Sequence, residues 1–313
     1  MTLRTGEILM RLFKKSSQWK EWNDESLAKF KRELLSIAED FIDVCEKHNL
    51  SYVLSYGSAL GAIRHHGFIP WDDDLDINMP RKDFDKFLEI CDKELGDKYY
   101  IRAIMKGDHI AVPTIHIRKK NSLYINYGDM VKMQEEPIEM RGIYIDIAAF
   151  ENAPNNKIIR KLDGLISILI LFIMSCIDVK ESVRYLNKMG VMLTSEEKSV
   201  LRLKHFLGSV FGIVPSYKWY RFYDWYASKN KNDKSEYVCA YCGFKNIRKS
   251  TYRRSVIFNP IKRSFEGHLW NVPCDYDSYL KICYKDYMKL PPKENRKVHP
   301  VFELQFSDGE KIK

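Results

Sequence analysis

The sequence has no internal repeat, no low-complexity segment and no apolar run of membrane-spanning length. Its longest apolar run, Gly164 to Ile177, falls short of the roughly 20 residues that a membrane-spanning helix needs. Only 15 glycines and 11 prolines occur, whereas 45% of the residues are hydrophobic. These features exclude fibrous and disordered proteins and leave an ordinary globular protein of one large domain or two smaller ones.

The sequence also lacks the even number of cysteines expected of a disulfide-bonded framework. The seven cysteines are an odd number and widely scattered, and the first fifteen residues carry charges but no apolar run. We therefore expect no secretory signal, reduced thiols and a cytoplasmic location. Cys239 and Cys242 have the spacing of zinc ligands, but no second pair follows at a recognisable interval. Whether they bind zinc is left open.

The charge is strongly unbalanced towards base. There are 51 Lys and Arg against 42 Asp and Glu, a net charge of +9. Such an excess favours an anionic partner, which could be nucleic acid, a lipid surface or a polyphosphorylated small molecule. Charge alone does not choose among them.

Hydrophobic periodicity predicts helices and strands mixed around one sheet in the first half of the chain. The predicted helices are Asn23–His48, Ala59–His65 and Arg81–Leu95, and the predicted strands are Tyr52–Tyr56, Leu75–Asn78, Tyr100–Ile104, Thr114–Arg118, Leu123–Tyr127 and Ile143–Ile147. Helical patterns dominate from 155 to about 230, and an irregular segment follows. The fold class is therefore α/β (α+β), with a core at 1–154, a helical insert at 155–235 and a C-terminal segment at 236–313 that packs back on the core.

An acidic cluster stands out in this basic chain. Asp72, Asp73, Asp74 and Asp76 follow Trp71 within five positions. On an extended segment Asp74 and Asp76 point to one face, and Asp72 joins them if the extension begins earlier. Close carboxylates raise one another's pKa unless a cation lies among them. The alternative is a solvated turn or a helix cap.

A third acid favours the metal interpretation. Asp146 lies between Ile145 and Ile147 in a predicted strand, where a carboxylate is costly unless it is paired or metal-bound. Asp74, Asp76 and Asp146 are thus the candidate catalytic residues and the ligands of Mg²⁺ or Mn²⁺. Asp146 could also take a proton from an attacking hydroxyl.

A predicted phosphate site lies upstream of the acids. Gly57 and Ser58 form a turn from a strand into a helix, where backbone N–H groups and a hydroxyl can bind phosphate. Arg64 and His65 follow one or two turns later and can neutralise phosphate charge. A Gly-Ser turn followed by Asp-x-Asp, and then by a lone Asp between apolar residues, resembles the nucleotidyltransferase superfold.

The stretch "SYGSALGAIRHHGFIPWDDDLDINMPRKDFDKF" resembles the signature block of the LicD family, which comprises bacterial phosphocholine transferases and the animal proteins fukutin and fukutin-related protein. The stretches "GIYIDIAAFENAP" and "FEGHLWNVPCDYDSYLKICYKDYMKLPPKENRKVH" extend the resemblance to about half the chain. One departure is Lys285, where the family commonly has glycine. This could alter a turn that shapes the substrate pocket.

The resemblance implies transfer of a phospho-alcohol from a CDP-linked donor, with CDP-choline favoured, to a sugar hydroxyl of a lipid-linked glycan precursor of teichoic acid, capsule or lipopolysaccharide. CMP is released. It also places Trp71, Asp72, Lys293 and Arg296 among the substrate-binding residues. A choline headgroup needs an aromatic cage. The candidates for that cage are Trp270, Tyr276, Tyr279 and Tyr127.

The apolar run has two interpretations. It is either a buried helix or a helix at the inner membrane surface, with its basic flanks on anionic headgroups. Rival functions are a true nucleotidyltransferase that uses NTP, a transferase that uses CDP-ribitol or CDP-glycerol, and a nucleic-acid-binding protein. The acidic cluster argues against nucleic acid, because carboxylates without metal repel a phosphate backbone.

Overall fold

The computed structural model describes residues 20–103, 114–126, 137–188, 194–241, 251–296, 298–299 and 301–312. All structural statements below concern these residues. The α-helices are α1 (Asp24–Lys47), α2 (Tyr56–Arg64), α3 (Arg81–Leu95), α4 (Lys157–Lys188), α5 (Ser195–Phe211), α6 (Ser216–Ala227), α7 (Arg254–Ile257) and α8 (Tyr276–Tyr284). The strands are β1 (Val53–Leu54), β2 (Asp76–Pro80), β3 (Tyr99–Ala103), β4 (Thr114–Lys119), β5 (Leu123–Asn126), β6 (Tyr144–Ala153), β7 (Tyr237–Ala240), β8 (Thr251–Arg253), β9 (Ile261–Phe265), β10 (His268–Val272) and β11 (Val301–Gln305).

A seven-stranded mixed sheet forms the centre of the molecule. Its order is β1-β2-β6-β4-β3, and β7 extends it from β6 to β8. The pair β2 and β6 is parallel, whereas the other pairs in this sheet are antiparallel. The predicted fold class is confirmed: a mixed sheet flanked by helices.

Helix α1 shows why the periodic segments were predictable. Asn23 accepts a hydrogen bond from the backbone of Ser26, and the Ser26 hydroxyl accepts one from the backbone of Asn23, which closes a capping box. Phe30, Leu34 and Phe41 lie on the buried face with no exposed surface. The predicted helices at 23–48 and 81–95 are confirmed to within one residue at each end.

Three local predictions differ from the structure. Tyr56 begins α2 instead of ending a strand, so that helix starts three residues before the predicted Ala59 and β1 is only two residues long. Strand β5 pairs with β11 in a separate two-stranded sheet and not in the main one. The C-terminal segment is more regular than predicted, because it contains a hairpin of β9 and β10 together with α8.

The helical insert has its own small core. Ile170 and Met174 of α4 pack against Tyr220 and Tyr223 of α6, and Ala153 at the end of β6 joins this cluster. A buried ion-pair network links the insert to the central sheet through Arg81 of α3, which contacts Asp224 at 2.8 Å and Glu151 at 3.0 Å. The division into three segments stays a prediction.

Candidate active site

Strand pairing brings two of the predicted acids together. Asp76, the first residue of β2, is the register partner of Asp146 in β6. Residues paired in a parallel sheet point to the same face, so both carboxylates project from one side of the sheet. The backbone N–H of Asp146 donates to the carbonyl of Leu75 at 3.2 Å, which holds the two strands in this register. Strand geometry therefore produces the acidic pair.

The acids before β2 complete the cluster. Burial raises the pKa of Asp74 to about 6; His299 opposes this shift, whereas Asp73 and Asp146 add to it. Burial and the charges of Asp74 and Asp146 raise the pKa of Asp76 well above its usual value. The side chains of Asp74 and Asp146 keep 35% and 34% of their surface exposed, so the cluster lines an open cleft.

Gly57 and Asp72 lie in direct contact. A Cβ atom at position 57 would stand 2.6 Å from a carboxylate oxygen of Asp72, so any side chain there would displace that acid. Burial, followed by the charges of Asp74 and Asp73, raises the pKa of Asp72 to about 8. The glycine therefore lets α2 approach the acidic cluster closely.

Ser58 positions the cluster. Its side chain is buried, and its hydroxyl accepts a hydrogen bond from the backbone N–H of Asp76 at 2.9 Å. Tyr56, two residues earlier, has a φ of +43°, and its N–H donates to the hydroxyl of Tyr279 at 3.0 Å. These bonds hold the first turn of α2 against β2 and α8. A contact between Ser58 and phosphate stays a prediction.

Arg64, His65, Trp71 and Arg296 form a group beside the acids. The guanidinium of Arg296 lies 4.3 Å from the centre of the Trp71 ring, and the His65 ring approaches the same indole edge-on at 6.3 Å. Arg64 donates to the carbonyl of Tyr287 at 2.6 Å. Burial lowers the pKa of both Arg64 and His65. C-terminal residues thus meet the signature block here.

Lys293, the remaining predicted basic contact, begins a short 3₁₀-helix, Lys293–Asn295, and is exposed. Its role towards phosphate stays a prediction.

His116 was missed in the sequence. It pairs across the sheet with Asp146, and its Nε2 lies 2.8 Å from Oδ1 of that acid, while its ring stacks on Tyr144. Burial would raise the pKa of Asp146, but His116 and Arg118 outweigh it and the pKa is lowered. The signal was the alternation in "TIHIRK", which puts polar residues on one face of β4.

His299 was not among the predicted site residues, but it contacts the cluster. Its Nδ1 lies 2.8 Å from Oδ1 of Asp73, and its backbone N–H donates to the other oxygen of that carboxylate at 3.0 Å. Burial lowers the pKa of His299, but the bond to Asp73 and the nearby acids raise it to about 9. The imidazolium therefore balances part of the cluster's negative charge.

Tyr284, at the end of α8, is a third residue that sequence reasoning missed. Its side chain is 41% exposed, yet burial and the charges of Asp76, Asp72 and Asp74 raise its pKa above the usual value. Its phenol group therefore lies near enough to the acidic cluster for those charges to affect its pKa. The adjacent Lys285 has φ +63° and ψ −110°, a strained conformation for a residue with a side chain.

For two of the four aromatic residues predicted to form a choline cage, the prediction is wrong. Tyr279 has no exposed surface, and Trp270 is 4% exposed and stacked on Phe265. Neither can present a ring face to a ligand. Tyr276 is half-buried with Arg263 beside its ring, and Tyr127 lies outside the described residues.

The donor set suits a hard divalent cation. Asp74, Asp76 and Asp146 offer only carboxylate oxygens, and the raised pKa values of the first two reflect burial and repulsion that a cation would relieve. The ligand set is not closed, because His116 engages Asp146; within the described ranges no three Asp, Glu, His or Cys side chains form a metal-holding group. Cys239 is buried, and Cys242 lies outside the described residues.

Comparison with known proteins agrees with this geometry. The family model described as "LicD/FKTN/FKRP, nucleotidyltransferase domain" matches residues 49–161, which include α2, β2 and β6. The chain is 29% identical over 272 residues to the lipopolysaccharide cholinephosphotransferase LicD of Haemophilus influenzae, covering 86% of this chain and 94% of that protein. An uncharacterized protein of Rickettsia prowazekii is 31% identical over 120 residues, which are 35% of this chain and 45% of the relative.

The matched region contains the Gly-Ser turn, the acidic cluster and the strand that carries Asp146. Residues 49–161 thus match the nucleotidyltransferase domain of the LicD family, in a chain that resembles a cholinephosphotransferase over most of its length.

Proposed function

We propose that the protein transfers phosphocholine, or a similar phospho-alcohol, from a CDP-linked donor to a sugar hydroxyl of a cell-surface glycan precursor and releases CMP. The observation that carries the proposal is the pairing of Asp76 with Asp146 beside the Gly57–Ser58 turn. The similarity to a lipopolysaccharide cholinephosphotransferase supports the reaction class. Teichoic acid, capsule and lipopolysaccharide precursors are all candidate acceptors.

Asp74, Asp76 and Asp146 would hold Mg²⁺ or Mn²⁺. Such an ion would neutralise charge on the donor's phosphates, which is the main requirement of phosphoryl transfer. The lowered pKa of Asp146 keeps this carboxylate ionised, which suits a ligand better than a base. Asp72, with a pKa raised to about 8, is better suited to accept the proton of the sugar hydroxyl.

The basic and aromatic group next to the acids suits the nucleotide end of the donor. Arg296 and Trp71 together offer a cation and a ring face, and His65 lies against the same indole. We assign Arg64 and Arg296 to charge balance on the donor's phosphates, and His65, whose lowered pKa favours the neutral imidazole, to a hydrogen bond with a phosphate oxygen. Tyr284, whose pKa is raised in part by the charges of the acids, would line the same cleft.

We place the enzyme in the cytoplasm, peripheral at the inner face of the membrane, where a lipid-linked acceptor is available. Nucleic acid is not among its proposed partners, because the cleft presents carboxylates to any phosphate backbone. CDP-ribitol and CDP-glycerol remain alternative donors, since none of the described residues identifies the headgroup.

Product analysis tests the proposal. The purified protein is incubated with Mg²⁺, a glycan acceptor and, in turn, CDP-choline, CDP-ribitol, CDP-glycerol or CTP. We expect acceptor-dependent CMP release with CDP-choline, and none for the Asp76→Asn variant. Pyrophosphate release from CTP would identify a true nucleotidyltransferase. The absence of CMP with every CDP-alcohol would overturn the proposal.

A further inference from the structure

The helical insert exposes an unusual amount of apolar surface. Of the twenty exposed large hydrophobic side chains in the described residues, fourteen lie between 158 and 225. We call this surface the insert face; its members are Ile158, Ile159, Leu162, Leu165, Ile166, Leu169, Leu203, Phe206, Val210, Ile213, Val214, Tyr217, Phe222 and Trp225. Large exposed apolar patches of this kind usually mark binding surfaces, whereas single scattered apolar residues do not.

The exposure follows helix geometry. On α4, Ile158, Leu162, Leu165 and Leu169 recur at intervals of three and four residues and are 49–70% exposed. On another side of the helix, Ile170 and Met174 are buried against α6. Two distinct apolar sides on one helix mean that one side packs inside the protein and the other is available for a partner.

Helix α5 and the turn after it add a second stripe. Leu203, Phe206 and Val210 are 59%, 65% and 48% exposed, again at intervals of three and four residues. Ile213, in the turn that follows, is 83% exposed. A soluble protein gains nothing from such exposure, because water contact with apolar surface is unfavourable.

The charges around the insert face are basic. Lys157 and Lys161 flank the stripe on α4, and Lys218 and Arg221 are the exposed charges of α6. Of the acids in these two helices, Asp163 and Asp224 are buried and Asp178 is half-buried, whereas the exposed Glu181 lies well beyond Leu169 along α4. A second copy of the chain would bring like charges together, whereas an anionic surface complements them.

A cavity lies at the beginning of α4. Its volume is about 580 Å³, and Lys157, Arg160 and Lys161 line it together with Leu165 and Tyr237. The guanidinium of Arg160 is held over the Tyr237 ring at 3.8 Å. Three cationic groups next to an apolar wall match a phosphate that is attached to a lipid.

Polar contacts argue that α4 does not cross a membrane. The apolar run was predicted to be too short for a span, whereas the helical segment Lys157–Glu181 has the length and composition of one; 56% of its most apolar part is nevertheless buried inside the protein. The carboxylate of Asp163 accepts hydrogen bonds from Tyr226 and Tyr241 and pairs with Lys229. A transmembrane position would break these contacts and leave a charge in hydrocarbon.

We propose that the insert face docks on a bilayer of anionic phospholipid, with the cavity at the beginning of α4 receiving a lipid phosphate. The apolar side chains enter the headgroup boundary while the lysines contact anionic headgroups. This deepens the proposed function by supplying a surface where a lipid-linked acceptor is met. The docking proposal rests on the proposed function only for the lipid-linked acceptor, because docking itself does not require the transfer reaction.

Vesicle co-sedimentation tests the proposal. The full chain is mixed with phosphatidylglycerol–phosphatidylcholine vesicles or with pure phosphatidylcholine vesicles at low and high salt. We expect binding to the anionic vesicles and weaker binding in high salt. Lys157→Glu/Lys161→Glu and Leu162→Ser/Leu169→Ser should each reduce binding roughly tenfold or more.

Matched controls carry the same changes elsewhere. Lys82→Glu/Lys93→Glu reverses two exposed lysines on α3, and Ile138→Ser/Leu269→Ser replaces two exposed apolar residues. Both should bind as the parent does. CMP release with a water-soluble acceptor should stay unchanged in all four variants, which separates failure of docking from failure of the proposed function.

Three outcomes would overturn docking. The first is equal binding to both vesicle types, and the second is equal binding by test and control variants. The third is a stable dimer in the absence of lipid that Leu162→Ser/Leu169→Ser dissociates, since the insert face would then be covered by a second copy.

Discussion

Asp76 shows how one residue can lower stability while serving a site. Burial and its neighbours Asp74 and Asp146 raise its pKa well above the usual value, so its ionised form is unfavourable in the folded protein. Acids that stabilise a fold show the opposite shift. The cluster is therefore maintained at a cost in stability, as expected for a binding site.

Replacement of Asp76 by asparagine should separate activity from stability. Loss of one carboxylate should remove roughly 3 kcal/mol or more of transition-state stabilisation, a rate loss of about a hundredfold or greater. The melting temperature at pH 7 should stay equal or rise, because a repelled charge is removed. Turnover and thermal unfolding are measured together.

The control for Asp76→Asn is Asp97→Asn, which changes an exposed acid after α3. Asp97→Asn should alter neither the turnover rate nor the melting temperature. A variant at 76 that is less stable yet fully active would contradict the assignment.

The acidic cluster also predicts how the stabilisation of the protein by Mg²⁺ depends on pH. The pKa of Asp74 is raised to about 6 and that of Asp72 to about 8, so the folded state binds more protons than the unfolded state in this range. Stability therefore falls as pH rises from about 6 to 8. Mg²⁺ competes with these protons for the carboxylates. The rise in the protein's melting temperature that Mg²⁺ causes should therefore be larger at pH 8 than at pH 6.

Calorimetric or fluorescence melts with Mg²⁺ or with a chelator at the two pH values check this. His299 titrates higher, with a pKa of about 9, and stays charged throughout the window. A metal effect of equal size at both pH values would show that these acids are not the ligands.

At the scale of elements, the end of α8 carries a local conflict between sequence and backbone. Lys285 has φ +63° and ψ −110°, a region that glycine occupies freely and other residues occupy only under strain. The helix ends here, directly after Tyr284, whose pKa is raised in part by the charges of the acids.

Lys285→Gly should therefore stabilise the protein by about 1 kcal/mol, since the relieved strain exceeds the added chain entropy of glycine. Urea unfolding measures the change. Lys289→Gly is the comparison, because Lys289 is exposed and lies outside the positive-φ region. It should be neutral or destabilising; a stability loss at 285 as large as at 289 would refute the strain argument.

Periodic elements were predictable from the sequence, and irregular ones were not. Helices α1 and α3 follow apolar spacing, which is a local property. The start of α2 depends on a bond from Tyr56 to Tyr279, more than 200 residues away, and local pattern contains no information about it. Strand β5 reads as an ordinary strand, and only its partner β11 decides which sheet it joins.

The candidate site follows the same division. The four close acids and Asp146 were visible as patterns, and strand pairing brings Asp76 and Asp146 together. His116 and His299 were not identified, because their importance comes from contacts across β4 and from the C-terminal segment.

At the scale of the whole molecule, one arginine joins the insert to the core. Arg81 is 9% exposed, and it binds Asp224 of α6 and Glu151 of β6. Burial raises the pKa of Glu151 to about 7 although Arg81 opposes the shift. Removal of the arginine would leave two buried carboxylates facing each other.

Arg81→Met should therefore destabilise the protein by about 3–5 kcal/mol. Adding Asp224→Asn should recover part of the loss, since one unpaired charge is removed. Chemical denaturation measures both. The exposed neighbour offers a control, Lys82→Met, which should change stability little. Failure of the second substitution to recover stability would refute the buried-charge explanation.

The length of β6 separates the two working ends of the molecule. Asp146 lies near its start, and the insert begins after Ala153 at its far end, roughly 23 Å away at about 3.3 Å per residue. A protein resting on lipid through its insert would hold the reacting phosphate well above the headgroups. Such an enzyme would modify sugars some distance from the lipid carrier and leave the sugars next to the carrier unmodified. The position of the modified sugar would then reflect the length of β6.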